Sequence, residues 1–400
     1  VGPDDLTRLR AWQGALRAQF PIIRDHPELA YLDSAATSQK PQAVLDAAHT
    51  YLTTRNANAG RGTYPWANAT TAMVEGTRGR LKEFLGDPAP ESSDVHFVSG
   101  TTEGLRAVAL DWLVPRLADG DEIVVPFADH QANLSPWLEA QRVLAARGIA
   151  VSVRELPYQD GSGDYDQRAL AGLAGPATRF VAATHVHHVR GGDMNVHRIR
   201  EAVGPDVPIC LDAAQSIGHL PLSVADLDVD FVVFSGHKAL ALPGTGAVWS
   251  RGERGPAFRP GDWSGTPNTV GIASLAAALD WLTAAGVHRI ERWTVGLAAR
   301  LTEGLRHLAP YRVLGCQRSL AASSDVQKRC GIVSFRHRDI PSDDLGFILF
   351  DHGFMVRADS LCQAGVDERD ERSGAVRVSL HVYNTPEEID RLLSVLAGLA

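Results

Sequence analysis

Long apolar runs are missing from this chain. The longest, Ile272 to Val287, is interrupted by Asp280 and falls short of the about 20 residues a membrane-crossing helix needs, so no membrane span is expected. Blocks of like charge are missing too. The 47 acidic and 39 basic residues leave a formal charge of -8 spread along the chain, which argues against a nucleic-acid or membrane surface and for a small partner. Cysteine is scarce: Cys210, Cys316, Cys330 and Cys362 form no CxxC and no even spacing, which excludes a disulfide framework or zinc site and fits a reducing, cytoplasmic setting. No GxGxxG fingerprint, Walker loop, repeat or low-complexity linker is found, and the N-terminus lacks the charged-then-apolar pattern of a secretory signal. Val1 stands where a Met would begin a chain, which leaves the true start open. What remains is an ordinary globular composition with 44% hydrophobic residues over 400 positions, enough for one large α/β domain and a smaller one.

The stretch Val229 to Val248 organises the rest. Val229 and Phe231 to Phe234 suit a strand buried on both faces that stops abruptly at Ser235-Gly236-His237-Lys238. Ligand crevices of open α/β sheets lie beyond the carboxyl ends of their strands, so Lys238 there is a candidate for Schiff-base chemistry. Strands at Glu122 to Pro126, Val151 to Leu156, Phe180 to Val186 and Pro208 to Leu211 alternate with helical segments in the rhythm of a mostly parallel sheet. Each strand delivers something polar. Asp94 to Leu110 runs from strand to Gly100-Thr101-Thr102 at a helix start, which offers N–H groups and hydroxyls either to a phosphate or to a simple cap. Asp129-His130-Gln131 and Asp212-Ala213-Ala214-Gln215 follow two other strands. His185, His187 and His188 cluster after a fourth, but strand alternation lets only His185 and His187 share a face, and no metal site is expected. Arg61, in the irregular Asn56 to Trp66 loop, is either a ligand contact or a solvated charge. A buried Asp212 requires a cationic or donor partner, for which Lys238 and a protonated pyridine nitrogen both qualify. From about Val287 the pattern changes to two long helices and short strands (Gly331 to Phe335, Phe354 to Val356, Ala375 to Leu380), as in a second α+β domain.

In order and spacing, GTTEG, DHQAN, DAAQ, SGHK, SGTPN, VRADSLC and RVSLHVYNT resemble the class V pyridoxal-phosphate enzymes, and within them the cysteine desulfurase/selenocysteine lyase branch. The resemblance implies the fold type I (aspartate-aminotransferase-like) α/β architecture. It divides the chain into an N-terminal arm (1–30) packing with the small domain, a large cofactor domain (31–286) with a mostly parallel sheet, and a smaller α+β domain (287–400). It implies pyridoxal 5'-phosphate on Lys238, with Asp212 at the pyridine nitrogen, Gln215 at the phenolic oxygen and His130 stacked on the ring. Thr101, Thr102, Ser235 and His237 are implied to surround the phosphate, and Thr266 to reach it from the other subunit of a homodimer. The amino-acid substrate is implied to meet Arg377, Arg357, Arg61 and His188. Cys362, five residues after Arg357 and fifteen before Arg377, keeps the interval of a nucleophile that accepts sulfur and passes it on, so that an acceptor protein is a further possible partner.

Departures from the resemblance gather around the substrate. Asp359-Ser360-Leu361 stand where Gly-His-His is expected, Gly60 replaces a histidine before Arg61, and His188 replaces an asparagine. An acidic Asp359 so close to Cys362 opposes a thiolate there. Alternatives within the same fold are a C–S lyase that eliminates at Cβ without Cys362, or an epimerase, decarboxylase or aldol-type enzyme. A non-catalytic scaffold is disfavoured because both Lys238 and Asp212 are kept.

Overall fold

The computed structural model describes residues 3–60, 62–159, 164–252, 266–315, 329–362 and 374–400. The chain begins with helices α1 (Pro3–Arg17) and α2 (Pro21–Asp25), strand β1 (Ala30–Tyr31), and helices α3 (Gln42–Thr54) and α4 (Pro65–Phe84). The central stretch then runs β2 (Asp94–Val98), α5 (Thr101–Ala107), β3 (Glu122–Val125), α6 (Ser135–Ala145), β4 (Ser152–Glu155), β5 (Tyr158–Gln159), β6 (Asp164–Tyr165), α7 (Gln167–Leu170), β7 (Thr178–Thr184), α8 (Val196–Val203), β8 (Ile209–Asp212), α9 (Val224–Leu227), β9 (Phe231–Ser235) and β10 (Gly246–Ser250). The C-terminal part follows as α10 (Thr269–Ala285), α11 (Val287–Arg306), β11 (Tyr311–Val313), β12 (Ile332–His337), α12 (Ser342–Asp351), β13 (Phe354–Met355), β14 (Arg357–Asp359), β15 (Ala375–Ser379) and α13 (Pro386–Ala397).

A seven-stranded sheet in the order β2-β10-β9-β8-β7-β3-β4 forms the centre. Every strand pairing from β9 to β4 is parallel, and β10 alone runs against its neighbours. Helices cover both faces, so β8, β9 and β10 are buried at every position, which explains why they read as continuous apolar runs. Parallel strands present all their carboxyl ends on one edge, and the site lies there. The expected α/β architecture with a mostly parallel sheet is therefore what the chain adopts.

The second sheet, β11-β12-β15-β14, is antiparallel throughout. Its core joins Val333, Val376 and Val378 to Leu297 and Leu301 of α11, and Leu6 of α1 enters the same cluster. Residues 30–33 also belong on this side, because β1 pairs with β13 and Asp33 bridges Ser379. The expected strand Phe354 to Val356 is β13, which pairs with β1, and a further strand that was not expected, β14, begins at Arg357 and joins β15. Among the described residues no single helix is long and apolar enough to cross a membrane.

Candidate active site

Five strand ends supply the large-domain half of the site. β9 is apolar to Phe234, and its chain then tightens into a 3-10 turn over Gly236–Lys238. Burial brings the Lys238 ammonium down to about 8 against the opposing pull of Asp212, and among the described residues its Nζ makes no hydrogen bond or ion pair. β8 ends on Asp212. Burial pushes this carboxyl up to about 6, while the Ala214 amide, donating to Oδ1 at 2.9 Å, pulls the other way. Gln215 donates from Nε2 to the Ala35 carbonyl at 3.0 Å, which leaves its second amide hydrogen for another acceptor.

At the end of β2, the Thr101 amide donates to Ser235 Oγ at 2.8 Å and the two hydroxyls meet at 2.8 Å, latching the first turn of α5 to the lysine strand. A side chain at Gly100 would crowd that latch, since a Cβ would lie 3.1 Å from Ser235 Oγ. Thr102 and Thr266 are both exposed in the protomer. His237 is half-buried, and its carbonyl accepts from the Ser38 amide at 3.1 Å and from Lys40 Nζ at 2.8 Å.

After β3, His130 begins a short turn in which its Nδ1 accepts the Ala132 amide at 3.1 Å. Burial, then the charges of Lys238, Arg357 and Arg377, lower its pKa to about 4, so the neutral ring carries its proton on Nε2. After β7 the histidines differ from the alternation argument. The strand stops at Thr184, so the pleat no longer applies, and it is His187 and His188 whose rings stack at 5.1 Å. His188 also packs edge-on against His130 at 5.0 Å. This loop is docked on the small domain: Gly191 has φ +68, and a Cβ there would sit 2.1 Å from the Ile332 carbonyl. No cluster suited to a metal ion occurs among the described residues.

The small domain completes the site. Arg357 and Arg377 are direct cross-strand partners in the β14–β15 register. Like charges so placed repel unless each is matched. Asp33 matches Arg377, accepting from Nη2 at 3.0 Å, while Asp359 matches Arg357, accepting from Nε at 2.9 and 3.0 Å. Arg377 is only 2% exposed, its Nη1 donates to the His188 carbonyl at 3.4 Å, and its Nε finds no hydrogen-bond partner among the described residues. An incoming carboxylate is the chemistry that satisfies such a donor. Arg357 Nη2 donates to Cys362 Sγ at 3.1 Å. The Cys362 carbonyl accepts the Gln131 amide at 3.1 Å, so the thiol-bearing turn docks beside His130. Asp33 was not anticipated from the sequence; the signal available was a carboxylate two residues after the short strand β1. Arg61 lies outside the described residues.

The aminotransferase class-V family model matches residues 30–264 and 262–392. The chain belongs to that family. It is 32% identical to a probable cysteine desulfurase of Vibrio cholerae, over 96% of this chain and 97% of that protein. It is 30% identical to the cysteine desulfurase CsdA of Escherichia coli, over 95% and 96% of the two chains. Among solved structures it is similar to the apo cysteine desulfurase of Thermococcus onnurineus NA1, with a TM-score of 0.83, 28% identity, and coverage of 96% and 97%.

As a class-V enzyme the protein uses pyridoxal 5'-phosphate, and the residues present fit that group. The buried Asp212 carboxylate makes no ion pair among the described residues and suits a pyridine N–H. The unpaired Lys238 amine suits the aldehyde carbon, and the side-chain-free bend at Gly100 beside Thr101 and Ser235 suits the phosphate.

Proposed function

We propose that the protein is a cysteine desulfurase-like enzyme that removes sulfur from L-cysteine or a close analogue and leaves alanine. When bound, pyridoxal phosphate supplies an electron sink for charge developing at the substrate's Cα. Arg377 binds the substrate carboxylate, with Asp33 fixing the guanidinium from behind. Lys238, with an amine near 8, takes and returns protons close to neutral pH. His130 stays neutral and walls one side of the site. Cys362 attacks the substrate sulfur. An S–S bond forms, the Cβ–S bond breaks, and the electron pair left on carbon picks up a proton, so cysteine and enzyme thiol become alanine and enzyme persulfide.

The observation that carries this reading is the position of Cys362: its carbonyl is fastened to Gln131, the neighbour of His130, and its sulfur to Arg357. An enzyme that eliminates at Cβ has no use for a thiol held there. Three further readings belong to the same proposal. Exposed Thr266, together with exposed Leu52, Tyr64 and Trp66, supports a homodimer in which Thr266 serves the partner's phosphate site. Cys210, Cys330 and Cys362 are free thiols, which supports a cytoplasmic setting. A persulfide in turn calls for a sulfur-acceptor partner. The test is product analysis over a panel of amino acids. Alanine with sulfane sulfur from L-cysteine supports the reading, whereas pyruvate with ammonia, carbon dioxide or a racemised amino acid sinks it.

A further inference from the structure

The thiol of Cys362 stands on an unusual piece of backbone. Leu361 and Cys362 both lie in the left-handed region, with φ +58 and +54, and neither is glycine. Side chains with a Cβ are strained in that region, so the surroundings must hold the turn in place. Three contacts do so. The Leu361 amide donates to Asp359 Oδ1 at 2.6 Å. The Leu361 carbonyl accepts from His188 Nε2 at 3.0 Å, which fixes that ring's proton on Nε2. The Cys362 carbonyl accepts the Gln131 amide.

Asp359 has a second task. The same carboxylate receives Arg357 Nε, whose Nη2 points at Sγ, so the guanidinium lies between the acid and the thiol. The acid expected from sequence to work against a thiolate is thus matched by a cation shared with it. Without Asp359, Arg357 would face Arg377 across the β14–β15 register unmatched, and a long flexible side chain would have no reason to stay on the sulfur.

We propose that Asp359 is a positioning residue for Cys362, which sets the left-handed thiol turn through the Leu361 amide and holds the Arg357 guanidinium on Sγ. This rests on the reading of Cys362 as the nucleophile. The holoenzyme and its Asp359→Asn, Asp359→Ala, Arg357→Ala and Arg357→Ala/Asp359→Asn variants test it. Asn keeps an acceptor for Leu361 but loses the charge; Ala loses both. Alkylation of the Cys362 peptide by iodoacetamide should slow about fivefold in Asp359→Asn but change less than about twofold when Arg357 is already Ala. Exchange of the Leu361 amide should speed up about tenfold in Asp359→Ala and much less in Asp359→Asn. The kcat on L-cysteine should fall about tenfold in Asp359→Asn, with KM within about twofold. Alkylation unchanged by Asp359→Asn, or slowed equally in the Arg357→Ala background, overturns the proposal. Turnover retained by Cys362→Ala instead removes the desulfurase reading, while alkylation and exchange still judge what Asp359 does to the turn.

Discussion

Asp212, buried, and Lys238, half-buried, are charges with roles that the cofactor completes, and Asp212 sets a pH signature for the apoenzyme. The Asp212 carboxyl lies at about 6 in the folded chain against 3.8 ordinarily, chiefly through burial. Stability from its protonated form is therefore fully present below about pH 3.8 and lost as pH rises through about 6. Above that the apoenzyme carries a charge costing about 3 kcal/mol. Asp212→Asn lacks that cost, so its apoenzyme should melt above the wild type near pH 7.5, with the difference closing as pH falls from about 6 to about 4. Bound cofactor should reverse the order at pH 7.5. A wild-type apoenzyme that melts higher than the variant at pH 7.5 contradicts this view of Asp212. The sequence marked both residues because a charge after an apolar strand is conspicuous. It could not mark Asp33 as the partner of Arg377, since the two stand 344 residues apart and the bridge of Asp33 to Ser379, at the end of β15, brings them together.

The loop between β7 and α8 couples the large domain to the small one. Gly191 is its tightest point, and Gly191→Ala places a methyl group against the Ile332 carbonyl in a left-handed conformation. Loss of at least about 2 kcal/mol is expected, seen as a lower melting temperature, together with a raised KM as His188 shifts from Arg377 and Leu361. A variant with unchanged melting and KM shows that the loop is not held there. This loop was misread from sequence for a physical reason: the pleat argument assumed a strand through His188, whereas the strand stops at Thr184. Helix α4 was not recognised at all. Its buried positions, Ala67, Thr70, Val74, Thr77 and Leu81, keep helical spacing, but threonine and alanine carry little hydrophobic signal. By contrast, β8 and β9 were legible because strands covered on both faces must be apolar at every position.

At the scale of the molecule, the site is made where the carboxyl edge of one sheet meets the β14–β15 edge of another. Spacing alone suggested that Arg357, Cys362 and Arg377 act together; the β14–β15 register explains it, by setting the two arginines side by side with the thiol turn beyond them. If a partner subunit completes each phosphate site through Thr266, a heterodimer of Lys238→Ala and Thr266→Ala subunits has one intact site and should recover activity that neither homodimer shows. A monomer in sedimentation with full cofactor occupancy rules that out. The central claim is that sulfur leaves the substrate by way of Cys362. Its most direct measurement is a single turnover with L-cysteine, quenched by alkylation and followed by mass spectrometry of the Cys362 peptide. The account predicts one added sulfur on Cys362 for each alanine formed, with both products absent from Cys362→Ala; alanine formed by Cys362→Ala at the wild-type rate, with no sulfur on the peptide of the unmodified enzyme, would contradict it.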